Sequence, residues 1–181
     1  MTHPLIDSID RRRVLRGLLA CGAALLGCSR GHADDVGAPD VPRLDCEHEA
    51  WRKVLRPEQY AVLFEEATER AFSSPLEKEK RAGTYVCAAC ALPLFESKTK
   101  FDSGTGWPSF WAPIAGRIGT KADYKLIFPR TEYHCARCGG HQGHVFDDGP
   151  PPTGKRYCNN GVALTFVPEG EPLPGLRSCP A

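Results

Sequence analysis

Apolar positions along the chain fall into two textures, and the change between them comes near Gly83. Before it the spacing is helical: Trp51, Val54 and Leu55 recur about one turn apart, and after Pro57 the residues Tyr60, Leu63, Phe64, Ala67 and Ala71 form one stripe. Proline suits the first turn of a helix, because the N–H it lacks would find no partner there. Two short amphipathic helices are therefore expected to open the domain. After Gly83 the apolar residues come in short runs: Tyr85-Val86, Leu94-Phe95, Leu126-Ile127-Phe128, Glu132-Tyr133-His134, His144-Val145-Phe146 and Val162 to Val167. Each ends in a cluster of Gly, Pro or Asp, which predicts a mainly β domain of two antiparallel sheets. In the last run Val162, Leu164 and Phe166 alternate with Ala163, Thr165 and Val167, so burial of both faces is expected there. The Pro- and Gly-rich residues from Pro168 onward read as coil on the surface.

Upstream of both textures, Asp10-Arg11-Arg12-Arg13-Val14-Leu15-Arg16 runs into the apolar stretch Gly17 to Gly27 and then Cys28. A basic flank before a short apolar run is an export signal, and the run is too short to span a bilayer comfortably. The consecutive arginines resemble a twin-arginine signal, whose pathway carries folded proteins. Leu25-Leu26-Gly27-Cys28 resembles a lipobox that would give a lipid anchor on Cys28, whereas Gly31-His32-Ala33 offers ordinary cleavage. The protein is therefore expected to be exported, either periplasmic or membrane-anchored. The divisions expected are a signal over 1–33, a flexible linker over 34–45, the folded domain over 46–170 and a coil tail over 171–181.

Composition narrows the function. With 181 residues, 41% of them hydrophobic, the chain can bury one core, and a monomer is expected. Its net charge is +1 with both signs interspersed, so no basic footprint for nucleic acid is present.

Cysteine placement changes the picture most. Cys87-Ala88-Ala89-Cys90 and Cys135-Ala136-Arg137-Cys138 each put two sulfurs on one tight turn, and Gly139-Gly140 after the second permits the backbone such a turn needs. Four thiolates in two knuckles form a tetrahedral four-cysteine site for zinc, or for iron in the same pocket, that would staple two hairpins together. Redox dithiols or two structural disulfides are the alternatives. Leu92-Pro93 and Gly139-Gly140 do not suit the helix that follows a thioredoxin-type pair.

Cys158 stands apart from the knuckles. In an extended strand it shares a face with Arg156 and Asn160, and a guanidinium beside a thiol lowers its pKa. His141 and His144 supply imidazoles, and Trp107 supplies an indole. A thiolate, imidazoles and an indole wall describe a site that attacks a polar atom bearing a small apolar substituent.

The ordered segments Thr68-Glu69, the two knuckles, Ser103-Gly104-x-Gly106-Trp107-Pro108-Ser109-Phe110, His141-x-Gly143-His144-Val145-Phe146-Asp147-Asp148-Gly149-Pro150, Pro152-Thr153-Gly154 and Arg156-Tyr157-Cys158-x-Asn160 resemble the B-type methionine sulfoxide reductases. The similarity runs from about Trp51 to about Phe166. It implies reduction of methionine-R-sulfoxide, free or in proteins, with Cys158 as nucleophile and His141, His144 and Asn160 as its polar support; Arg156, on the strand face of Cys158, is a further catalytic candidate. Trp107 and Phe110 would meet the substrate, Trp107 packing on its methyl group. Attack by Cys158 would leave a sulfenic acid for a second thiol to reduce.

Many members of that family carry the resolving cysteine at the position that is Thr105 here. Cys46, ahead of the first helix, is the candidate in its place, with pairing to Cys179 as the alternative; failing both, a thioredoxin-like or other thiol reductant must act directly. Asn159 and Gly161 also depart from the family pattern, which usually has an apolar residue and a serine there. Two other functions stay open to the residues alone: a zinc-ribbon-like binding module and a thiol–disulfide oxidoreductase.

Overall fold

The computed structural model describes residues 41–125 and 128–181. The expected export signal, the lipobox at Cys28, cleavage after Ala33 and most of the linker lie outside the described residues, as do Leu126 and Ile127 of one expected strand.

The first expected helix is a single 3-10 segment, His48–Lys53, which buries Trp51. The second is α1, Pro57–Glu65, with proline in its first turn and Tyr60, Val62 and Leu63 buried. It is shorter than the apolar stripe suggested, because Glu66 turns left-handed at φ 55 and ends it, leaving Ala67 and Ala71 outside. Glu66 is held by Lys121 at 2.6 Å and by Lys125, so contacts with a distant strand outweigh local helix preference.

The strands are β1 Gly83–Cys87, β2 Pro93–Glu96, β3 Lys100–Phe101, β4 Ser109–Phe110, β5 Ile118–Asp123, β6 Arg130–Cys135, β7 His141–Phe146, β8 Arg156–Asn159 and β9 Leu164–Pro168. They form one sheet of order β2-β1-β9 and another of order β3-β4-β8-β7-β6-β5. Every pairing is antiparallel, as the short punctuated runs predicted. The core lies where the sheets face each other: Tyr85 and Phe95 of the small sheet meet Phe110 of the large one at ring separations of 4.9 and 4.2 Å. Such aromatic pairs bury large apolar area in specific geometry and fix how the sheets pack.

Two segments differ from the pattern. Gly161–Ala163 forms a 3-10 turn, so β9 begins only at Leu164; Leu164 on one face and Val167 on the other are buried, as expected, whereas Thr165 is exposed. The Glu69 carboxylate accepts from the amides of Gly161 at 2.5 Å and Val162 at 2.9 Å, which draws that stretch out of the strand. The residues after Pro168 have no regular structure but do not simply rest on the surface. The Arg177 amide donates to the Cys90 carbonyl at 3.0 Å, and its guanidinium donates to the carbonyls of Ala88 and Ala89.

Cys179 on this strap is bonded to Cys46. The assignment of Cys46 as a free resolving thiol is thereby corrected. Leu44 donates to Arg137 of the second knuckle while Arg177 is anchored on the first, and these anchors bring the segments carrying Cys46 and Cys179 together.

Candidate active site and metal centre

The knuckles are two copies of one turn. In the first, the Cys87 amide donates to the Leu92 carbonyl at 2.8 Å and the Ala91 amide to the Cys87 carbonyl at 2.9 Å. In the second, Cys135 bonds Gly140 and Gly139 bonds Cys135, each at 2.9 Å. The residue after the second cysteine is left-handed in both, Gly139 at φ 74 and Ala91 at φ 63. Glycine takes that conformation without strain, whereas alanine needs the surrounding bonds to hold it there.

The turns bring four buried sulfurs within 4.8 Å of one another. Cys87 lies 3.6 Å from Cys138, and Cys90 3.6 Å from Cys135. Tetrahedral zinc with Zn–S bonds of about 2.3 Å would set its sulfurs ~3.8 Å apart, so the spacing fits. Neighbouring sulfurs and burial push the Cys87 and Cys138 thiols up while the same neighbours hold Cys90 down; keeping all four as thiolates would require a cation among them.

Sheet register assembles the second site. Ser109 of β4 and His144 of β7 are the direct partners of Cys158 on β8, so three adjacent strands present a hydroxyl, a thiol and an imidazole side by side. The close approach of β7 and β8 requires Gly143, where a Cβ would fall 1.9 Å from the Cys158 carbonyl oxygen. Cys158 opens into a cavity of about 120 Å³ walled by Trp107, Phe146, His144, Arg130, Thr68 and Asn160. Arg156 emerges on the same face as Cys158, as expected. It forms a two-pronged pair with Asp148 at 2.8 Å and covers the Phe146 ring at 4.3 Å.

Burial pushes the Cys158 thiol above the ordinary cysteine value. The Arg156 charge and hydrogen bonds from Thr105, Ser109 and Arg156 oppose this without overcoming it. The expected lowering by the guanidinium is present, but desolvation outweighs it. His144 is pushed down, chiefly by burial, and is therefore neutral near pH 7. Its Nε2 lies 2.7 Å from Asp123 Oδ2, which also accepts from Arg130 at 2.7 Å. Asp123 is held well below the usual carboxylate range by the Lys125 amide, His144 and Arg130.

His141 is buried behind His144, ring centroids 5.5 Å apart, and does not wall the cavity. Its Nδ1 is 3.1 Å from Glu132 Oε1, but the ring is turned off the line of a directed hydrogen bond. Asn160 is fixed at both ends: Oδ1 accepts from the Glu69 amide at 3.0 Å and Nδ2 donates to the Gln142 carbonyl at 3.0 Å. Trp107 Nε1 donates to the Glu69 carbonyl at 3.1 Å.

Phe110 is not at the site. Side chains alternate along β4, so with Ser109 beside Cys158 the Phe110 ring points into the core against Phe95. Sequence reasoning missed the roles of Asp123 and Glu69. The second had a signal, since it belongs to the Thr68-Glu69 segment on which the resemblance rests.

A family model described as SelR domain matches residues 55–168. Peptide methionine sulfoxide reductase MsrB of Pseudomonas putida is 56% identical over 130 residues, which are 71% of this chain and 97% of that protein. The protein of the same name from Methanosarcina barkeri is 56% identical over 124 residues, 68% of this chain and 87% of the relative. That of Agrobacterium fabrum is 50% identical over 135 residues, 74% and 98% respectively. The metal-type knuckles and the cavity thiol are thus set in a sequence shared along most of its length with named reductases, and the chain belongs to the SelR-domain family of peptide methionine sulfoxide reductases.

Proposed function

We propose that this protein reduces methionine-R-sulfoxide, free or within proteins, to methionine by direct attack of Cys158. One observation carries the reading: among the described residues Cys158 is the one free cysteine outside the four-sulfur cluster, and it lines the cavity. The cavity suits the substrate. Trp107 and Phe146 offer apolar surface to a methyl group, while His144 and Asn160 meet the sulfoxide oxygen.

Cys158 reacts as its thiolate, formed as the proton passes toward the imidazole side. The sulfur forms a bond to the sulfoxide sulfur, and the oxygen takes up a proton. The substrate S–O bond and the new S–S bond then break as the oxygen, with its proton, passes to Cys158; methionine leaves with the electron pair of the broken bond, so the sulfoxide is reduced and Cys158 is oxidised to the sulfenic acid. His144, oriented by Asp123, is the proton-handling group nearest the nucleophile.

A second thiol must attack the sulfenic acid, forming a mixed disulfide and releasing water. With Cys46 and Cys179 joined to each other and the remaining described cysteines in the cluster, that thiol comes from a thioredoxin-like or other thiol reductant. Zinc, held by Cys87, Cys90, Cys135 and Cys138, contributes folding stability and takes no part in the reaction. An exported location, periplasmic or lipid-anchored, is supported by the basic and apolar N-terminal sequence and by the disulfide, which suits an oxidising compartment.

The test is turnover of the separate R and S epimers with dithiothreitol as reductant. Wild type should consume the R epimer only, and Cys158→Ser should consume neither. Equal turnover by Cys158→Ser would overturn the assignment.

A further inference from the structure

From Asn159 in the cavity wall a line of buried polar side chains runs toward the sulfur cluster, and the reaction does not use it. Gln142 of β7 and Asn159 of β8 are both fully buried, an expensive place for two amides unless every group is bonded. Tyr133 Oη donates to Asn159 Oδ1 at 2.7 Å, Asn159 Nδ2 donates to Gln142 Oε1 at 3.4 Å, and Gln142 Nε2 donates to Cys87 Sγ at 3.6 Å. The line therefore begins one residue after the nucleophile and ends on a sulfur of the cluster.

Its direction is set from the metal end. A metal-bound thiolate only accepts, so the Gln142 NH2 must face Cys87. Oε1 is then left to accept from Asn159, and Asn159 Oδ1 is left for the tyrosine hydroxyl. The same glutamine also holds the active site through its main chain, since its carbonyl accepts from the Asn160 amide at 2.8 Å and from Asn160 Nδ2 at 3.0 Å.

We propose that Gln142 and Asn159 are positioning residues that tie the nucleophile-bearing strand to the metal-binding sulfurs, so that loosening either end loosens the other. The proposal rests on the reading of the cluster as a zinc site. An N–H aimed at a metal-bound sulfur lowers the cost of its charge, and loss of such outer contacts typically weakens metal binding by about 10–100-fold. Asn159 touches no sulfur of the cluster; its side chain reaches the cluster through Gln142, and also through Tyr133 on the strand that ends in Cys135, and the double variant separates the two routes.

The experiment follows zinc release from full-length, zinc-loaded protein to a chelating dye, for wild type, Gln142→Met, Asn159→Leu and the double variant. Methionine keeps the length of glutamine without its amide, and leucine keeps the size of asparagine without its amide, so Asn159→Leu tests the tie even if Gln142→Met folds poorly. Release should be about tenfold faster in Gln142→Met and severalfold faster in Asn159→Leu. The double variant should be no faster than Gln142→Met, because both changes cut one line. Wild-type release from Asn159→Leu, or effects that multiply independently in the double variant, would overturn the tie while leaving the zinc reading intact. A wild-type protein that holds no metal would overturn both.

Discussion

Cys87 and Cys158 are the same side chain in two environments, and the contrast explains which one reacts. Cys87 lies in the core with another sulfur 3.6 Å away, in a cluster whose geometry suits one tetrahedral ion. Cys158 has hydroxyls, a guanidinium and an imidazole around it instead, and it faces a cavity. Both thiols are pushed up, Cys87 chiefly by the other sulfurs and Cys158 by burial. What differs is the relief: a metal ion would neutralise the first permanently, whereas the second can ionise only when its proton is passed on. Sulfur chemistry here follows from neighbours, not from the residue.

Removing one side of this contrast should have the largest effect. Cys138→Ser takes one ligand from the cluster and should lose bound zinc and cooperative folding together, since ligand binding and folding are one process in such sites. Metal content and a thermal melt read this directly; a variant that melts like wild type would show that the staple is dispensable. On the other side, His144→Gln keeps the fold but removes the proton-handling ring, and kcat should fall about 10²-fold. The same variant should leave zinc content unchanged, which separates the two regions.

Trp107→Ala removes the apolar wall and should raise KM for methionine-R-sulfoxide about tenfold, a cost of ~1.4 kcal/mol. If kcat alone moved, the indole would be acting on the reaction and not on binding. The smallest effect concerns pH. Because burial raises the Cys158 thiol, its alkylation by iodoacetamide should increase with pH through a midpoint above the ordinary cysteine value. Arg156 lowers the thiol from its place beside it, so Arg156→Met should move that midpoint further up and slow alkylation at pH 8.

The two regions were legible in the sequence to different degrees. A Cys-x-x-Cys turn is local, and its two copies announced the cluster before any fold was known. Period-two alternation likewise placed Arg156 and Cys158 on one face, and it had the means to place Phe110 opposite Ser109. The groups that orient the site were not legible, because their partners are distant in the chain. Asp123 reaches His144 across 21 residues and Glu69 reaches Gly161 across 92. Cys46 and Cys179 are separated by 133 residues, and the anchors of Leu44 and Arg177 on the two knuckles bring them together. Local pattern records what a strand or turn needs, whereas long-range hydrogen bonds record what the tertiary packing brings together.

The central claim is that oxygen passes from substrate to one sulfur. Stoichiometric methionine-R-sulfoxide added to reduced protein with no reductant present, followed by a sulfenic-acid trap and peptide mass analysis, tests it most directly. One trapped adduct is expected, on the peptide carrying Cys158, with one methionine released per chain. An adduct on Cys87, Cys90, Cys135 or Cys138, or methionine released with Cys158 unmodified, would contradict it.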